Sequence, residues 1–277
     1  MAVDTGMSED VGEASERSPP HPNPLPPNGA ERELEEISLS ALQGGEGRGE
    51  VGRAAAPTSL IAWLPTLLTW LSPSYPVGGF SYSHGLEWAV ETGAVRDRAG
   101  LEGYVATILE AGAGWVDLVL LAEAWRSAAE PARLEAVIEL GAAWRGTTET
   151  ALESSQQGAA FITATRTAWS GTALDDLAGP AVYPIAVGLA CAGTVPLEAA
   201  LLGYGHALTA NFVSAGMRLV PLGQTDGQRA IATLAPLVAA TAIRAAETPL
   251  DELGTAAFRI DLCSIHHETQ YTRLFRS

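Results

Sequence analysis

From Leu60 onward, apolar residues recur three and four positions apart, the spacing of one helix face. Leu60, Leu64, Leu67, Leu68 and Leu71 form the first stripe. Leu101, Val105, Ile108 and Leu109 form a second, and Val116, Val119, Leu120 and Ala124 carry it past Gly112 and Gly114. Leu134, Val137, Ile138 and Leu140 follow Pro131, which suits a first helical turn because the missing N–H has no partner there. Thr148 to Ala168 predicts a further helix with Leu152 and Phe161 inward. Leu197, Leu201, Tyr204, Leu208 and Phe212 line up behind Pro196. Ala230 to Ala246 reads as a helix containing Pro236, where the lost N–H and ring clash predict a kink. No alternating strand, Asn-Gly hairpin or fixed-period repeat stands out. The expected fold class is all-α: a helical bundle over residues 58–277, with Gly and Pro at the joints. A partly exposed Ala/Leu face would suit self-association, and ordinary core packing is the commoner explanation for any one stripe.

Residues 1–57 break this pattern. They hold eleven acidic residues, four Arg, no aromatic residue and the run Pro19–Pro27, followed by a Gly- and charge-rich tract at 44–50. So few apolar anchors do not offset the ordering entropy, so a disordered Pro/Gly/acid-rich leader is expected, with at most a transient helix over Glu31–Leu42. His21 within it reads as an exposed, unimportant side chain. The resemblance of this segment to translated repetitive DNA predicts either a native start downstream, near Val51, or a dispensable insertion.

All 16 basic residues among the 277 are Arg, against 32 acidic ones, for a net charge of −16. Without lysine there is no Walker phosphate loop and no Schiff-base lysine. The acidic balance disfavours nucleic acid and anionic membrane as partners. Cys191 and Cys263 lie far apart in no metal-type cluster, which suits a reducing compartment. The N-terminus lacks the apolar core of a secretory signal. The longest apolar stretches, such as Ala181–Ala192 and Ile231–Ile243, contain proline and fall short of the roughly 18–20 residues of a membrane span. The expectation is a cytoplasmic chain.

Three stretches carry candidate chemistry. Ser72–Glu87 packs two prolines, two adjacent glycines, three aromatics, four serines and His84 into one loop. It reads either as a docking loop or as a buried turn held by Tyr and Ser hydrogen bonds, with Ser83 capping the next helix. Ser81 or Ser83 beside His84 invites a hydrolase reading, but the nucleophile elbow G-x-S-x-G fails at its last position. Pro221–Gln228 links two helices; Asp226 is a helix cap, and Gln224 and Gln228 are candidates for binding a partner's backbone. The terminal stretch His266–Ser277 pairs Arg273 and Arg276 with Leu274 and Phe275, residue types suited to interfaces. His266, His267 and Glu268 are candidate ligands for a borderline metal such as nickel or zinc. Adjacent histidines on a helix point roughly 100° apart, so the pair is a poor chelate, and a solvated helix end is the simpler reading. Cys263 is most simply a small core residue.

Taken together, these stretches resemble the urease accessory protein UreF family. Its Pro/Gly/aromatic loop leading into S-H-G-L-E is similar to Ser72–Glu87, its L-G-Q-x-x-G-Q linker to Leu222–Gln228, and its H-E-x-Q-x-x-R-L-F-R-S ending to His267–Ser277. Tyr75 and Gly79 stand where the family more often has Phe and Ala. The resemblance implies an all-α, dimeric non-enzyme that binds no cofactor of its own. It implies a scaffold bridging a UreD-type (UreH) protein and the GTPase UreG, which together load nickel into apo-urease. By position, it assigns partner contacts to Tyr75, Pro76, Gly78, Phe80, Ser81, His84, Glu87, Gln224, Gln228, Arg273, Phe275 and Arg276, with an extended tail that orders on docking. The alternative is a direct nickel metallochaperone using His84, His266, His267 and Cys263. The −9 charge of residues 54–277 suits transit of Ni²⁺ or plain solubility.

Overall fold

The computed structural model describes Met1 and residues 62–277. Residues 2–57 of the leader, with its Glu31–Leu42 segment, His21 and the start near Val51, and also Leu60, lie outside the described residues. Within the described residues the fold is all-α and contains no strand. The helices are α1 (Leu64–Trp70), α2 (Leu86–Glu91), α3 (Arg98–Ala111), α4 (Ala113–Ser127), α5 (Pro131–Ala143), α6 (Thr148–Ala168), α7 (Tyr183–Cys191), α8 (Leu197–Leu219), α9 (Gln224–Glu247) and α10 (Phe258–His267).

Local chemistry sets most boundaries. Asp97 accepts from the Gly100 N–H at 2.8 Å and starts α3. Thr147 and Thr150 form a reciprocal capping box at the start of α6. Extended Gly112 separates α3 from α4. Pro131 occupies the first turn of α5 and Pro184 that of α7.

The core has two apolar clusters. One gathers α4, α6 and α7, with Trp70, Leu118, Phe161, Ile185 and Leu189 fully buried or nearly so. The other gathers α2, α3, α8 and α9 around Leu86, Leu101, Ile108, Phe212 and Leu234. Each such side chain contributes roughly 1.5–3 kcal/mol by leaving water. α4 runs between them and packs on α3, α5, α7, α8 and α9. At Gly188 of α7 an added Cβ would sit 2.5 Å from the Leu121 carbonyl of α4, so a hydrogen side chain is what lets these helices approach.

Several expectations need correction. Leu68 is 63 % exposed and Leu152 47 % exposed, whereas Trp70 is buried. The inner face of α6 runs through 149, 153, 157 and 161, and Leu152 lies one residue, about 100°, off that line. α7 stood out only as an apolar stretch: a helix buried all round has no polar face to set a period. α9 starts at Gln224 and runs through Pro236 without ending. Two helical segments, Arg98–Ser127 and Gln224–Glu247, are long and apolar enough to cross a membrane, contrary to the sequence reading. The first has 72 % of its apolar window buried against other helices, as a core helix does.

Candidate functional site: a carboxylate seam beneath residues 271–277

Three carboxylates form the floor of the site. Glu87 comes from the first turn of α2, and Glu149 and Glu153 stand one turn apart on the inner face of α6. α10 and the residues after it lie across them. The two oxygens of Glu87 accept the Leu274 N–H at 2.7 Å and the Phe275 N–H at 2.8 Å. Glu149 accepts from Arg273 Nη1 at 2.7 Å. Glu153 accepts from the Ser277 hydroxyl at 2.8 Å, from Gln157 at 3.0 Å and from His84 Nε2 at 2.9 Å. His267 is fully buried, with Nδ1 2.7 Å from Glu149 and Nε2 3.3 Å from Glu87.

The loop before α2 closes the other side. The Ser83 N–H and hydroxyl both donate to the Ser277 main-chain oxygen, at 2.8 and 2.5 Å. The Arg276 N–H donates to the Ser81 carbonyl at 2.8 Å. Arg218 donates to the Phe80 carbonyl at 2.6 Å and lies 4.2 Å over the Phe275 ring, a cation–π contact. His84 and Gly85 both take left-handed backbone, φ 51° and 75°. A side chain on Gly85 would overlap the main chain of Cys263 and Ser264, so glycine is required where α2 meets α10.

These contacts revise the sequence picture. The terminal stretch is not a frayed or extended tail: it packs against its own chain, with Phe275 3 % exposed and Ser277 buried. Ser83 does not cap α2; Gly85 holds that position. The Ser83 hydroxyl is directed at Ser277 and His84 at Glu153, so the Ser–His pairing of a hydrolase is not assembled. His266 stacks on Trp88 with ring centroids 5.2 Å apart, His267 points inward, and Glu268 accepts from the Thr148 N–H at 2.9 Å. These three candidate ligands thus diverge. Among the described residues no group of three or more His, Cys, Asp or Glu is placed to hold a metal ion. Cys263 is half-buried beside the second cluster.

The other candidate positions are distributed as follows. Tyr75 is buried, its hydroxyl 2.8 Å from Thr165 Oγ1 and its ring against Phe161. Pro76 and Phe80 are exposed, and Gly78 and Ser81 are half-buried. Asp226 is not the cap of α9 but sits in its first turn and pairs with Arg229 at 3.0 Å. Gln224 and Gln228 are exposed on the opening turns of α9, away from the printed contacts of the seam.

His84 shows how the charges balance. Burial alone would lower its pKa, but the Glu153 charge and hydrogen bond, aided by Asp117, outweigh that and raise it, with Arg145 opposing. Sequence reading missed Glu149, Glu153 and Arg218. One signal was present: 149, 153, 157 and 161 form a single i, i+4 line that passes from carboxylate to amide to Phe161.

A sequence model of UreF matches residues 95–235, from α3 into α9. A urease accessory protein UreF from Bradyrhizobium sp. (strain ORS 278) is 52 % identical over 235 residues, covering 83 % of this chain and 98 % of the relative. The chain belongs to the UreF family. Proteins of the same name from Granulibacter bethesdensis and Rhodopseudomonas palustris (strain BisA53) are 51 % and 50 % identical, each over 80 % of this chain and 98 % and 97 % of the relative. The matched UreF span includes α6 with Glu149 and Glu153 and stops short of the Ser72–Glu87 loop and the terminal stretch.

Proposed function

We propose that this chain is a cytoplasmic, homodimeric scaffold for urease maturation. It bridges a UreD-type accessory protein and the GTPase UreG, regulates GTP-dependent nickel insertion into apo-urease, and has no turnover of its own. Nickel is cargo of the assembly rather than a resident cofactor of this chain. The observation that carries the reading is UreF membership across nearly the whole length of relatives named urease accessory proteins. The geometry supports it. The seam fixes the backbone of residues 273–277 while leaving Leu274, Arg273, Arg276 and Phe80 exposed, a rigid display of the residue types that anchor interfaces.

Co-expression with UreD- and UreG-type proteins tests it. The wild-type chain is expected to co-purify with both and to support urease activation. Leu274→Asp, which alters an exposed side chain and leaves the seam intact, is expected to abolish capture of the UreD-type protein. Wild-type protein that captures neither partner, or activation undiminished after deleting Arg273–Ser277, overturns the proposal.

A further inference from the structure

Residues Gly79–Ser81 form a single 3₁₀ turn, and its middle residue, Phe80, is 66 % exposed. Two side chains of α8 hold the main chain of this turn. Asn211 Nδ2 donates to the Gly79 carbonyl at 2.9 Å, and Arg218 Nη2 donates to the Phe80 carbonyl at 2.6 Å. Positions 211 and 218 are seven apart, about two helical turns, so they share one face of α8. The Arg218 guanidinium is itself oriented by the Phe275 ring 4.2 Å below it, and that ring is 3 % exposed. Asn211 is half-buried.

The two phenylalanines of this edge are treated in opposite ways. Phe275 is packed into the second apolar cluster, whereas Phe80 stands in water, although a Phe side chain gains by leaving it. The turn's own hydrogen bonds are few: the Ser81 N–H to Gly78 at 3.1 Å and the Tyr82 N–H to Gly79 at 3.3 Å. A short turn held only by these keeps conformational freedom that docking must remove. Anchoring two successive carbonyls to a 23-residue helix removes it beforehand, which is how a protruding side chain is made ready for a partner.

We propose that Asn211 and Arg218 are positioning residues for partner capture: they fix the Phe80 turn to α8 so that its ring enters an apolar pocket of the UreD-type protein. The inference rests on the scaffold reading above and adds to it the chemistry of the contact, a pocket for one aromatic ring. Both residues act through Phe80 rather than by touching the partner.

The test is a double-mutant cycle, titrating the full-length chain onto immobilised UreD-type protein. Asn211→Asp removes the donor at nearly constant shape, and Arg218→Ala removes the other. Each is expected to weaken binding about tenfold, the scale of one lost hydrogen bond. In a Phe80→Ala background each effect should fall below about twofold, because it passes through the missing ring. In the isolated variants, hydrogen exchange at Ser81 and Tyr82 should accelerate while α4 is unchanged. Equal losses with and without Phe80 overturn the proposal, since the two residues then act independently of the ring. So does unchanged affinity, or unchanged exchange at Ser81 and Tyr82, in the folded variants. If Arg218→Ala does not fold, Asn211→Asp alone decides. A wild-type chain that captures no UreD-type protein overturns the scaffold reading, and this proposal with it, whereas capture with additive losses overturns this proposal alone.

Discussion

The α4–α7 contact and the seam beneath residues 271–277 belong to one bundle and are held by different physics. At α4–α7, Gly188 and a continuous apolar helix let backbones close on each other, and burial pushes the Cys191 thiol up to about 12. At the seam, Glu87, Glu149 and Glu153 gather donors from α10, the terminal stretch and the loop before α2. The first contact depends on shape and fails only when the core fails. The second depends on charge and geometry, so single groups can loosen it while the bundle stands.

The largest effect should come from breaking the shape-held region. Gly188→Val places a branched side chain against the Leu121 carbonyl and should cost about 3 kcal/mol or more in chemical denaturation. A variant with wild-type stability would mean that α4 and α7 do not approach as described.

Next is the seam itself. Glu87→Gln turns one acceptor into an N–H₂ group facing the Leu274 or Phe275 N–H, and should cost about 2–3 kcal/mol. The loss should be local. Hydrogen exchange should accelerate at residues 274–277 well before it does in α4, and uniform acceleration would erase the distinction between the regions.

pH sharpens the comparison further. His84 faces Glu153 of α6, Asp117 of α4, Arg145 and, at longer range, Asp261 of α10, and its pKa is raised above 6.5. A raised histidine contributes stability that is complete below pH 6.5 and is lost as pH climbs through its higher folded-state value. Protease cleavage of the terminal stretch should therefore increase over that window, and His84→Gln should flatten the dependence. An unchanged profile in His84→Gln would remove His84 from the seam's energetics.

The smallest effect belongs to the exposed start of α9. Gln224→Ala and Gln228→Ala should each shift the thermal midpoint by no more than corresponds to about 0.5 kcal/mol. A larger shift would show that these glutamines carry internal contacts.

The helical stripes were readable because a helix with one buried face writes its period into the sequence; α3, α5, α6 and α8 were recognised in this way. α7 was not, since a helix buried all round has no period to show. The three unusual stretches were recognisable from composition, and two of them, Ser72–Glu87 and His266–Ser277, do meet. Their meeting place was hidden because Glu149 and Glu153 lie about 120 residues from their partners. Their spacing on α6 is also that of any solvated helix face.

The sequence by itself determined the helix class, most helix positions, the arginine-only basic complement and the stretches that set this chain apart. Those properties follow from short-range spacing and residue chemistry, which act within a few residues along the chain. Only the tertiary structure decided that the terminal stretch folds back onto its own body and that His266, His267 and Glu268 face three different ways. Each of these depends on which groups the packing of distant helices brings within hydrogen-bond reach, and local periodicity does not encode that distance.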